Sequence, residues 1–174
     1  MTIHDEHPFA PEPEERDPVR RFRGRLAGPV TIVTSGAGEH RAGLTVSSVF
    51  VVEGDPGVVH AIVTPNSDLW DVVAATGRFV VHVCRPSHRD LAEVFAGLRP
   101  SPGGVFAGSE VTDSEWGPVL TALEDRAYCT LLAREEMGYS GVIKGSIDRV
   151  EVGEMADPLL YFRGRYRNLI RTNP

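Results

Sequence analysis

The sequence predicts a mainly β protein with short helices: a small β-barrel, mostly antiparallel, with the helices at its ends or side. Three observations predict it. Short β-branched runs bounded by Gly, Pro and Asp recur along the chain. Most neighbouring runs are joined by turns rather than long crossovers, which favours antiparallel pairing. About seven such runs would leave open sheet edges, and barrel closure removes them. At 174 residues and 41% hydrophobic content, the chain is long enough for one domain with its own core, or one domain plus an arm.

Residues 1–17 are expected to be an acidic, proline-rich tail or an arm laid on a partner, ahead of a single domain over 18–174. His4 and His7 are spaced like a metal pair, but they stand in a tail expected to be mobile, and no metal is expected. Asp17-Pro18 reads as N-cap and first helical position and Gly28-Pro29 as a stop, with Val19, Phe22 and Leu26 on one helical face. Pro29 to Ser35 and the run after Gly36–Glu39 form a hairpin. The second run holds Gly43-Leu44-Thr45-Val46-Ser47-Ser48, three small hydroxyls in a strand that is otherwise core. Such hydroxyls need partners, either neighbouring backbone or a flat polar ligand lying against the strand.

A turn over Glu53–Gly57 leads to a strand over Val58–Thr64, and Pro65-Asn66-Ser67-Asp68 breaks it. Ser67 or Asp68 caps a helix carrying Leu69, Trp70, Val72 and Val73, which Gly77 ends. A free helix N-terminus suits a phosphate as well as a plain cap. Phe79 to Cys84 is a strand in which His82 is expected to be a core or interface residue. A second helix from Ser87 stops at Gly97, and residues 98–118 are expected to form a long loop. Arg126 to Arg134 is a strand, Glu135–Tyr139 a turn, and Ser140–Val152 a long strand in which Gly145 marks a bulge or close approach. Pro158 to Arg163 is the last strand, and Arg165 to Leu169 closes the chain.

The net charge of −6 opposes a nucleic-acid platform, and although Arg20, Arg21, Arg23 and Arg25 cluster, local acids offset them. A second arginine group comprises Arg163, Arg165, Arg167 and Arg171. No apolar run approaches the roughly 18–20 residues of a spanning helix, so a cytoplasmic protein without a membrane role is expected. Cys84 and Cys129 read as buried free thiols. Gly36-Ala37-Gly38 with Gly43 mimics a dinucleotide fingerprint, but a strand and not a helix follows, so the glycines belong to a hairpin loop.

The order VTIVTS, AGLTVSSVFVVEGDP, an apolar strand and a small-polar turn into a Trp-bearing helix resembles the flavin reductase-like family of FMN-binding split β-barrels. GRFVVHVC, LAEVFAG, the late glycine-marked strand and PLLYFRGRYRNL extend the resemblance over residues 19–169. It implies a split-barrel homodimer that transfers hydride from NAD(P)H to FMN or FAD and is related to the reductase components of two-component monooxygenases. It implies flavin contacts from Thr45, Val46, Ser47 and Ser48, and phosphate contacts from Thr64, Pro65, Asn66 and Ser67. Phe95, Ala96 and Gly97 would line the pocket, and Tyr166 would sit near flavin or nicotinamide. Where the family carries Gly-Asp-His, this chain has Gly138-Tyr139-Ser140, leaving Tyr139 and Ser140 for the nicotinamide side. Asp68 follows the phosphate turn, so countercharge is expected from Arg41, Arg78, Arg85 or Arg89. Two other readings stay open: a flavin-binding protein of this fold with another reductant or substrate, and a dimeric binding protein without redox chemistry.

Overall fold

The computed structural model describes residues 17–154 and 157–169. The expected tail, apart from Asp17, and Arg171 lie outside the described residues. Helix α1 (Pro18–Arg23) starts where the sequence predicts, with the Asp17 carboxylate accepting from the Val19 N–H at 2.9 Å. Its apolar residues are not packed into the chain: Val19, Phe22 and Leu26 are all exposed.

Twelve strands follow among the described residues, against about seven expected. A seven-stranded sheet carries β2 (Thr31–Ser35), β3 (Ala42–Val46), β4 (Val49–Val52), β5 (Val58–Val63), β6 (Arg78–Val83), β9 (Arg126–Met137) and β10 (Ser140–Glu151). Its order is β3-β2-β6-β9-β10-β5-β4, and every pair is antiparallel. The strands β3 and β4 occupy opposite ends of that order, yet only Ser47 and Ser48 separate them in sequence. The sheet therefore has to curl until its edges nearly meet, which is a barrel split at one seam. Backbone bonding crosses near it, where the Ile62 N–H donates to the Ser48 carbonyl at 2.9 Å.

The additional strands are short. A three-stranded sheet pairs β1 (Gly28–Pro29), β11 (Leu160–Phe162) and β12 (Arg165–Arg167). Residues 98–118 are not one loop, because β7 (Val111–Ser114) and β8 (Gly117–Leu120) form a hairpin. The expected turn at Glu135–Tyr139 shrinks to Gly138-Tyr139, since β9 continues to Met137.

Strand β2 is buried on both faces, as Ile32 and Val33 show. Val33 joins the barrel interior with Val59, Phe79, Val81 and Ile143, capped by Leu69, Trp70 and Val73 of α2 (Asp68–Thr76). Ile32 joins an outer layer with Phe95 of α3 (Arg89–Phe95), Phe106, Leu120 and Leu159. Alternation along a strand delivers neighbouring residues to opposite layers. The register slips at Lys144/Gly145, where Phe79 packs on the bare Gly145 backbone and leaves no room for a side chain.

Candidate functional site

The seam between β3 and β4 borders an open cleft of about 1230 Å³. It is lined by Leu44 to Phe50, by Ile62, Val63 and Thr64, by Met137, Ser140 and Val142, and by Tyr161. The α1 segment from Arg20 to Pro29, except Phe22, and the turn residues Arg163 and Gly164 complete the lining.

The strand ends at Val46, so Ser47 and Ser48, expected within it, stand in the link to β4, and the three marked hydroxyls have different duties. Thr45 Oγ1 donates to the Ala92 carbonyl at 2.7 Å, tying β3 to α3. The Val46 carbonyl accepts from Thr31 Oγ1 at 2.7 Å. Ser47 and Ser48 are half-buried, and among the described residues their hydroxyls have no hydrogen-bond partner. Gly28 holds the adjoining backbone close, since a Cβ there would collide with the Ser47 carbonyl. The result is a polar seam within an apolar wall, with two hydroxyls free to engage a ligand.

Of the expected flavin-side residues, Thr45, Val46, Ser47, Ser48 and Thr64 come together at the cleft, and Ser140 joins them. The others do not line it. Ser67 caps α2, donating to the Thr64 carbonyl at 2.7 Å and accepting from the Trp70 N–H at 3.4 Å. Pro65 and exposed Asn66 belong to the same turn. Phe95 is 2% exposed and meets Phe106 edge to face at 5.1 Å, packed over Gly43. Ala96 and Gly97 end α3 behind it. Tyr139 is fully exposed at the β9–β10 tip. Tyr166 stands across from Tyr161, ring to ring at 5.6 Å, and burial pushes its hydroxyl up to about 12.

The four expected countercharges are engaged elsewhere. Arg78 pairs with Glu115 at 2.7 Å, Arg85 with Asp125 at 3.0 Å and Arg89 with Glu93 at 3.0 Å. Arg41 lies 4.8 Å from the centre of the Phe106 ring. The cleft draws its positive charge instead from Arg20, Arg21, Arg23, Arg25 and Arg163, and no described carboxylate lines it. The arginine-dense stretch after the Asp17 cap was the sequence signal, masked by the acids preceding it.

His82 is a core residue as expected. Its Nδ1 donates to the Ile32 carbonyl at 3.0 Å and its Nε2 accepts from the Leu120 N–H at 3.2 Å. Burial lowers its pKa to about 4. Cys84 and Cys129 are free, and burial raises both thiols to about 12.

Residues 23–169 match the family described as flavin reductase like domain. The reductase component of 4-hydroxyphenylacetate 3-monooxygenase from Thermus thermophilus is 30% identical over 84% of this chain and 91% of its own. FMN reductase (NADH) RutF of Methylorubrum extorquens is 27% identical over 98% and 84%. The crystal structure of nitrilotriacetate monooxygenase component B from Mycobacterium thermoresistibile superposes with a TM-score of 0.78 at 27% identity, covering 90% of this chain and 88% of that one.

Proposed function

This chain belongs to the flavin reductase-like domain family, and on that premise we propose that it is an NAD(P)H-dependent flavin reductase acting on FMN or FAD. The observation that carries the reading is the pair of uncommitted hydroxyls, Ser47 and Ser48, on a large cleft at the barrel seam. Bound flavin would supply the hydride-accepting chemistry for reduced nicotinamide. The chain's own residues bind, orient and shield. Ser47 and Ser48 would hydrogen-bond the polar edge of the flavin, with backbone groups of Thr45 and Val46 beside them. Leu44, Val63 and Val142, which line the cleft with Ser140, would keep water from one side of the ring, and Ser140 would serve the nicotinamide side. Thr64 would hold the flavin side chain, with Pro65, Asn66 and Ser67 following it in the turn before α2, and Tyr166 supports the site through Tyr161.

A monooxygenase component is the partner this reading supplies, supported by the names of the relatives. A homodimer is supported by exposed apolar residues on the edge strand β4 and the end of β10: Val51, Val52 and Val150, with Val152 just beyond. A cytoplasmic setting is supported by two buried free thiols and by a nicotinamide reductant.

One observation favours a second reading, a flavin-binding protein of this fold with another reductant. No described histidine lines the cleft, and the aromatic residue in the Gly138-Tyr139-Ser140 turn points to solvent. Anaerobic mixing of a catalytic amount of protein with excess FMN and NADH separates the two. Loss of the oxidised flavin's visible absorbance is expected, and unchanged absorbance despite flavin binding would select the second reading.

A further inference from the structure

Several arginines outside the cleft are paired with carboxylates within the protein. Arg78, Arg85, Arg99, Arg126 and Arg149 each lie within 3.0 Å of a carboxylate. The five that line the cleft are exposed, have no carboxylate partner among the described residues, and share a lining free of acids. Five like charges along one cleft repel one another unless an anion enters, so the arrangement favours a polyanion. The cations are all guanidinium groups, whose planar fork grips phosphate oxygens two at a time, while Lys144, the single lysine of the chain, is elsewhere.

Arg163 adds an independent sign. With Gly164 it forms the two-residue turn between β11 and β12, and both residues have positive φ, 51° and 78°. Asn or Gly is the usual choice at the first of these positions, so an arginine there is kept against conformational preference. It lines the cleft alongside the α1 segment.

We propose that Arg20, Arg21, Arg23, Arg25 and Arg163 form a diphosphate site that grips an adenine dinucleotide by its phosphates. The proposal rests on the nucleotide reading of the cleft and deepens it, because FMN alone brings a single phosphate to five cations. The shared chemistry is the diphosphate, and its two sources are FAD and the nicotinamide dinucleotide.

The test uses the full chain and ADP, which carries the diphosphate without a flavin or nicotinamide ring. Calorimetric titration compares wild type with Arg163→Asn, a residue that suits the turn, and with the double variant Arg20→Gln/Arg21→Gln. ADP is expected to bind wild type more tightly than AMP does, and at least tenfold more weakly in both variants, with melting temperatures held. Flavin fluorescence and steady-state kinetics then separate the sources. A loss of FAD affinity relative to FMN assigns the diphosphate to flavin, and a raised KM for NADH with flavin affinity intact assigns it to the nicotinamide. ADP that binds no tighter than AMP, or equally to wild type and variants, overturns the proposal. If ADP binding depends on the arginines while flavin-dependent turnover is absent, the diphosphate site stands and the reductase reading falls.

Discussion

His82 sits in the wall between the two layers with each ring nitrogen assigned a partner, one accepting carbonyl and one donating N–H. A second proton on Nε2 would face the Leu120 N–H, so protonation breaks a bond as well as charging a buried group. With a folded pKa near 4 against 6.5 in the ordinary state, its contribution is fully present above pH 6.5 and is lost as pH falls toward 4. The loss should reach about 3 kcal/mol, measurable as a falling urea midpoint over that window. Replacing His82 with Gln should flatten this pH dependence at the cost of lower stability at neutral pH. Gly28 belongs to the same scale: Gly28→Ala has to push Ser47 away, and flavin affinity should fall about tenfold, ~1.4 kcal/mol, by fluorescence titration. Unchanged affinity would mean that Ser47 does not set the flavin's position.

At the scale of elements, β3 is held from behind by α3 through the Thr45 hydroxyl and through Phe95 over Gly43. Thr45→Ala should therefore lower stability by about 1 kcal/mol through loss of that tie, seen as a lower melting temperature. Which residues support and which face the ligand was the part of the site that the sequence did not expose. It marks Thr45, Ser47 and Ser48 alike as strand residues, but β3 ends at Val46, and only the curl of the sheet puts Ser47 and Ser48 in the link that crosses the seam to β4. The Ser67 cap, the Gly77 stop of α2 and the Gly145 irregularity were legible, because each rests on local chemistry. The β7–β8 hairpin was not, since Val111–Ser114 is short and polar and Pro118 sits within its partner strand. Nor was the tip of β9, where Glu135, Glu136 and Met137 extend the ladder beyond Arg134 with exposed side chains.

The whole molecule presents a cationic cleft on a chain of net charge −6, with the apolar edge strand β4 beside it. Unpaired apolar edges recruit other chains, and β4 with the end of β10 is the surface on which a second copy would close. Val150→Lys with Val152→Lys should convert a dimer to a monomer in sedimentation; a wild-type mass equal to one subunit would remove the dimer. The family match, the split barrel and the free hydroxyls converge on one claim, that the seam at Ser47-Ser48 binds the flavin that nicotinamide reduces. The most direct test is nicotinamide consumption, with and without added flavin, by wild type and by Ser47→Ala/Ser48→Ala. These hydroxyls make no bonds within the described chain, so the variant should melt like wild type while its flavin KM rises about tenfold, the effect of two lost hydrogen bonds. Wild-type turnover that needs flavin, together with that rise, is the predicted result. Turnover indifferent to flavin, or a variant with the wild-type flavin KM, would contradict it.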